Sequence, residues 1–302
     1  MHEGAASADR RDGAHEPPVG GDWSVLDRAY AAYLDAHPAP PGGSLLAQTI
    51  LTGAARRTLY PLLEVEPGAE LLDLGTGFGP VVFELAHLHR VRAVGVDTDE
   101  AVLDVAGALG DALAGWFREA SAVRFAPADV ANLPYGAAAF DVVTARLLFQ
   151  HLPDPVAVVA EIGRVLRPGG RAFVFDVDDG LGVTYPEPSA ALTALEGAFA
   201  ACQSGRGGDR HVGRKLTTYF ATAGFDVGPL RLLAQAAHVA SEQGDASRSL
   251  TVARLLAARS EIVGRGLLAA AEFDAHLDAF VHEPAVARFR AECQLAAVFT
   301  NR

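Results

Sequence analysis

Lysine is almost missing from this chain of 302 residues: Lys215 stands alone, and the basic side chains number 25 against 37 acidic ones, for a net charge of −12. A protein that binds DNA or RNA needs a basic footprint to displace counterions from phosphates, so this balance argues against a nucleic-acid partner. Cysteine is as scarce. Cys202 and Cys293 are too few for a disulfide framework, and no group of His, Cys and Asp has ligand spacing, so no metal is expected. Also lacking is an apolar run of the ~18 residues a membrane helix needs, and the amino terminus does not show the cationic-then-apolar pattern of an export signal. The expectation is a cytoplasmic protein without a membrane partner. Hydrophobic residues are plentiful, at 50%, which suits one large α/β core with appended helices better than two equal domains.

The most informative stretch is Leu71-Leu-Asp-Leu-Gly-Thr-Gly-Phe-Gly79, an apolar run that stops abruptly in alternating glycines. Leu and Val at the end of a buried strand need no solvent face, while Gly75, Gly77 and Gly79 permit backbone angles and close ligand approach that a Cβ would block. A second apolar run, Val91 to Val96, closes on Asp97. Its carboxylate is expected at the same strand edge, placed to accept both hydroxyls of a ribose. Nicotinamide, flavin and S-adenosylmethionine sites all use such an arrangement, and the glycine spacing separates them. A dinucleotide fingerprint wants a small residue where this chain has Pro80, so that the helix can present its amino end to a pyrophosphate. The spacing here is G-x-G-x-G, preceded by Asp73. That acidic loop suits a ligand without phosphate.

With Ala128-Asp-Val-Ala-Asn-Leu-Pro-Tyr135, with Phe140-Asp-Val-Val-Thr-Ala-Arg146 running on to Pro155, and with Leu166-Arg-Pro-Gly-Gly170, the chain resembles the class I S-adenosylmethionine-dependent methyltransferases. The likeness is to their small-molecule branch, which includes the quinone and sterol methyltransferases, and it covers roughly residues 60–225. It implies S-adenosylmethionine as cofactor and S-adenosylhomocysteine as product. By the same resemblance Gly75 and Gly77 offer backbone contacts to the methionine moiety, Thr76 and Gly79 belong to the same cofactor-binding loop, and Asp73 lies near the ammonium. Asp97 and Thr98 hold the ribose, Asp129 and Val130 address the adenine, and Arg146, Leu147 and Gln150 run along the methionine chain.

The fold expected is a doubly wound, Rossmann-like sheet of seven strands, with strands near 70–74, 92–97, 122–126, 140–146 and 170–177 alternating with helices. The organisation predicted is a disordered leader over 1–20, a helical lid over 21–63, the cofactor-binding core over 64–240, and a helical cap with the final strand over 241–302. Tyr30 and Tyr33 sit one turn apart on the first helix, with Tyr33 expected over the cofactor and Tyr30 near the reacting atoms; an aromatic stripe packed on the core is the competing reading. His151 and Asp176 are the candidate catalytic pair, because they follow the fourth and fifth strands. A loop hydrogen bond for His151 and a solvated or capping acid for Asp176 are the plainer alternatives. Arg206, Arg210, Arg214 and Lys215 form the densest basic run, read either as a solvated face or as a carboxylate site.

These readings converge on methyl transfer to a small, apolar metabolite of the secondary-metabolite kind, in a monomer or homodimer. A carbon methyltransferase that couples methylation to ring closure, with an indole-like substrate, and a non-catalytic cofactor-binding protein of the same fold are the alternatives.

Overall fold

Segments that read as near-continuous apolar runs become strands buried on both faces. In the computed structural model, which describes residues 22–37, 42–119, 121–239, 246–284 and 288–302, they are β1 (Ala69–Leu74), β2 (Val91–Asp97), β4 (Phe140–Arg146) and the second half of β5 (Leu166–Val177), while β3 (Ala122–Pro127) is a partly exposed edge strand. Three further strands follow: β6 (Val183–Tyr185), β7 (Asp226–Val239) and β8 (Arg288–Thr300). The leader expected over 1–20 lies outside the described residues, as does most of the Pro/Gly segment after His37. The sheet order is β3-β2-β1-β4-β5-β8, with β7 on the outer edge of β8. β1 to β5 run parallel, and β8 lies antiparallel to both β5 and β7. The expected doubly wound sheet is present, and the three-residue β6 extends the line of β5 along β8 from Val183 to Tyr185. Strand order reverses between β1 and β4, so their carboxyl ends open the crevice where ligands bind in such sheets.

The helices are α1 (Ser24–Ala36), α2 (Gly43–Leu51), α3 (Gly53–Arg57), α4 (Pro80–Leu88), α5 (Glu100–Ala112), α6 (Pro155–Val165), α7 (Ala190–Ser204), α8 (Leu216–Thr222), α9 (Ala246–Gly264) and α10 (Ala270–Val281). Local chemistry sets their starts. Gly79 turns left-handed before Pro80, whose missing N–H is harmless in a first turn. Asp99 caps α5 by accepting from the N–H groups of Ala101 and Val102, and Asp154 caps α6 through Ala157. One face of the sheet packs on α6 and α8 through Val159, Ile162 and Phe220, and the other on α4 through Val82 and Leu85. α7, α9 and α10 enclose a separate apolar cluster around Leu195, Leu255, Ile262 and Phe273. No helix among the described residues is long and apolar enough to cross a membrane.

α1 does not stand off the core as a movable lid would. Leu26 and Tyr30 are 0% and 1% exposed among Leu46, Phe78 and Phe83. Asp27 pairs with Arg57 at 2.5 Å, and Trp23 meets the ring of Trp116, itself stacked on His87. The packed aromatic stripe is the arrangement found, because α1 fills the groove left by α2, α4 and α5.

Candidate active site

The glycine loop leaves β1 with three left-handed residues in alternation, Gly75 (φ 63°), Gly77 (φ 52°) and Gly79 (φ 75°). The space around them is as restrictive as their angles. A Cβ on Gly79 would lie 2.6 Å from the Phe125 ring, and one on Gly75 would lie 2.9 Å from Leu148. Thr76 donates its N–H to the Val96 carbonyl, which ties the loop to β2. Asp97 accepts from the N–H of Gly77 at 2.9 Å through one oxygen and from Thr98 at 2.8 Å through the other. The expected ribose acid and the glycine loop are therefore one hydrogen-bonded unit. Asp129 is exposed beyond β3, accepting from Ala131 at 2.9 Å, and Val130 is buried beside it. Ala128 donates to the Asp97 carbonyl, so the turn expected on the adenine side hangs from the same strand end.

Behind the loop lie a buried acid and a half-buried cation, neither with a full counter-charge. Asp73 is 1% exposed and accepts from the Thr144 hydroxyl at 2.6 Å. Burial raises its carboxyl to about 6, with the Thr144 hydrogen bond and Arg146 opposing. Arg146, at the end of β4, donates to Thr52 Oγ1 at 2.5 Å, while its Nε is buried without a hydrogen-bond partner among the described residues. Burial, then repulsion from Arg56, lowers its guanidinium to about 9. The nearby Glu84 is already engaged by Arg56 at 2.7 Å, by Arg57 at 2.7 Å and by the Tyr60 hydroxyl at 2.5 Å.

The segment after β4 closes over the loop. Leu147 adopts φ 52°, unusual for a branched side chain, and its N–H is held by the Phe175 carbonyl. Asp176 is fully buried and accepts from the backbone N–H groups of Val177 (2.8 Å) and Gln150 (3.3 Å). Its carboxyl is pushed up to about 7 by burial, against those backbone hydrogen bonds and Arg210. Gln150 donates to the Leu147 carbonyl, and its Oε1 accepts from Arg210 at 2.9 Å. His151 meets neither Asp176 oxygen. Its Nδ1 lies 3.3 Å from Nε2 of Gln203, a residue of α7. His151 is an exposed residue, yet the protein crowded around it, followed by Arg210 and Arg206, pushes the imidazole below its usual value.

Three expectations change. The His151–Asp176 pair does not form, because Asp176 faces backbone N–H groups that staple the turn. Tyr30 is a core residue whose hydroxyl donates to the Phe78 carbonyl at 3.0 Å; burial holds its phenol well above the usual range, so it supports the glycine loop from behind. Tyr33 stacks on His37 at 4.2 Å, and the side chain over Gly77 is Leu45 of α2, 3.2 Å from where a Cβ would stand. The basic run is neither a bare helix face nor a free anion site. Arg206 pairs with Glu261, Arg210 with Asp179, Arg214 with Asp178 and Lys215 with Asp209. Sequence reasoning missed Leu45, Thr144 and Gln203. Thr144 sits in a quoted motif and carried a weak signal, whereas Gln203 lies in an alanine-rich helix with none.

Residues 72–174 match the family model described as Methyltransferase domain. The chain is 34% identical over 147 residues to an O-methyltransferase of Pyrenophora dematioidea, covering 47% of this chain and 52% of the relative. It is 34% identical over 140 residues to the nocamycin O-methyltransferase of Saccharothrix syringae, covering 45% and 44%. The chain thus spans about half the length of the curated relatives it matches. Among solved structures, the YcgJ protein of Bacillus subtilis superposes with a TM-score of 0.55 at 14% identity, over 82% of this chain and 98% of that one. The [4+2]-cyclase SpnF does so with 0.52 at 18% identity, over 82% and 80%. At these identities the structural likeness speaks for the fold.

Proposed function

We propose that this chain is a class I S-adenosylmethionine-dependent methyltransferase of the small-molecule type and that it transfers the methyl group to an oxygen of a small metabolite. The observation that carries the reading is the fit of the crevice to a zwitterionic amino acid joined to a nucleoside. The glycine cradle is one that a Cβ would fill. Behind it stand a buried acid, Asp73, for an ammonium and a partly buried cation, Arg146, whose buried Nε has no partner among the described residues, for a carboxylate. Opposite charges held out of water at one strand edge are costly alone and compensated by a ligand that carries both. Asp97 is the ribose acceptor, and Asp129 with Val130 borders the adenine. Oxygen as the acceptor atom follows the named relatives.

The bound cofactor supplies an activated methyl group on a sulfonium, so the protein's task is an in-line approach in a dry pocket. Leu148 lies over Gly75 and Leu45 over Gly77, which gives the loop an apolar cover. Asp176 fixes the turn that carries Gln150 and His151. Calorimetry with S-adenosylmethionine tests the cofactor, and a labelled methyl donor with cell extract tests the transfer. Saturable binding with a labelled product stable to acid is expected. Binding without any labelled product favours a non-catalytic protein of this fold, and label on carbon favours the ring-closing alternative.

A further inference from the structure

We propose that Gln203 holds His151 as its Nε2–H tautomer, so that the imidazole offers the methyl acceptor a hydrogen-bond donor and not a base. The assignment begins with a group that can only accept. The Gln150 carbonyl oxygen takes the Asp209 N–H at 2.9 Å and faces Gln203 Nε2 at 3.1 Å. Turning the Gln203 amide over would set two carbonyl oxygens against each other, so the amide nitrogen is the atom that belongs there. That same NH2 group lies 3.3 Å from His151 Nδ1. A nitrogen facing an N–H donor presents its lone pair, and a neutral imidazole then carries its single proton on Nε2.

The surrounding charges keep the ring neutral. Arg210 and Arg206 act on it from the segment after α7, each with its own acid, Asp179 and Glu261. Asp209 is taken by Lys215, and Asp176 by backbone N–H groups. Among the described residues none of these carboxylates pairs with the imidazole of His151, so no anion favours the imidazolium.

This inference rests on the proposed methyl transfer and narrows its acceptor to an oxygen already ionised near neutral pH: a carboxylate, the enolate of a 1,3-dicarbonyl, or an electron-poor phenolate. The step balances without a proton transfer. The oxyanion forms the O–C bond as the C–S bond breaks, the C–S pair stays on sulfur, and the sulfonium becomes a neutral thioether. His151 Nε2–H steadies the oxyanion before the step, and Gln203 is a positioning residue that acts through it.

Long-range 1H–15N correlation spectra of the full chain decide the matter, with His151 signals identified by their loss in His151→Asn. The expected result is an unprotonated Nδ1 and a protonated Nε2. Gln203→Glu, whose carboxylate accepts from Nδ1–H, should invert the pattern, and Gln203→Leu should give a mixture at an unchanged melting temperature. A protonated Nδ1 in the native protein, or a tautomer indifferent to Gln203→Leu, overturns the proposal. The spectra are recorded without cofactor and again with S-adenosylhomocysteine, so a failure to bind it sinks the functional reading while leaving the tautomer result intact. For an acceptor identified with labelled donor, kcat/KM should follow the acceptor's own ionisation. Efficient turnover at neutral pH of an acceptor with pKa above about 10 would overturn the donor role.

Discussion

At the scale of single residues, the informative groups are acids whose surroundings oppose their charge. Asp73 has a folded pKa of about 6 against an unfolded value of 3.8. The native state therefore binds this proton more tightly, and the associated stability is complete below the unfolded value and lost as pH rises through about 6. An ammonium arriving beside Asp73 reverses the preference, since it favours the carboxylate. Cofactor binding near pH 5.5 should release a proton and weaken on further acidification; near pH 8, where Asp73 is already ionised, no release from this group is expected. Calorimetry in buffers of different ionisation enthalpy measures this, and Asp73→Asn should remove the buffer dependence. Asp97 is the complementary case. Both its oxygens already accept backbone N–H groups, so it is oriented before a ribose arrives. Asp97→Ala should weaken S-adenosylmethionine about ten- to a hundredfold, the loss of charge-assisted hydrogen bonds worth roughly 1.5–3 kcal/mol each. Unchanged affinity in a folded variant would remove the ribose assignment.

At the scale of elements, the N-terminal helices behave as part of the core. α1 buries Leu26 and Tyr30, and α3 sends Arg56, 2% exposed, onto the fully buried Glu84 of α4. Glu84 stays ionised despite its burial because Arg56, Arg57 and the Tyr60 hydroxyl favour the charged form. Removing one member of such a pair leaves a buried charge uncompensated, at about 3–5 kcal/mol. Truncation through Ala36 also removes Asp27, the acid that shares Arg57 with Glu84. We expect the truncated, ligand-free protein to melt well below the full chain, by the roughly 1.5–3 kcal/mol that each large buried apolar side chain contributes, plus the lost ion pair. Equal melting temperatures for the two proteins would restore the movable-lid reading. The helical spacing of Leu26, Tyr30, Tyr33 and Leu34 was legible in the sequence, but periodicity names an apolar face without naming what covers it. The strands were more legible, because a run buried on both faces leaves little choice of partner. The glycine loop was plainest of all, since few other sequences follow an apolar run with that alternation.

At the scale of the whole molecule, α7 links the apolar cluster it shares with α9 and α10 to the candidate site, while α9 also meets α2. α7 contributes Leu195, Ala198 and Cys202 to the cluster with α9 and α10, and the next residue, Gln203, turns to His151 and the Gln150 carbonyl. That link was not legible in the sequence. Gln203 is separated from His151 by half a hundred residues of chain, and the contact depends on how a cap folds back, which no local pattern encodes. The consequence is directional. Phe273 is fully buried in the cap cluster, and Phe273→Ala should destabilise the cap by about 3–5 kcal/mol. The sheet, the glycine loop and Asp97 are held by other contacts, so affinity for S-adenosylmethionine should stay within about twofold, a change below 0.5 kcal/mol. Turnover should fall much further, because a loosened α7 no longer fixes Gln203 against His151. Hydrogen exchange read by mass spectrometry gives the structural half: faster exchange across α7, α9 and α10, with β1, β2 and β4 as protected as in the native protein. If exchange quickens equally in the sheet, the cap and the core unfold as one unit, and the cap cannot be the element that positions His151 independently of the cofactor.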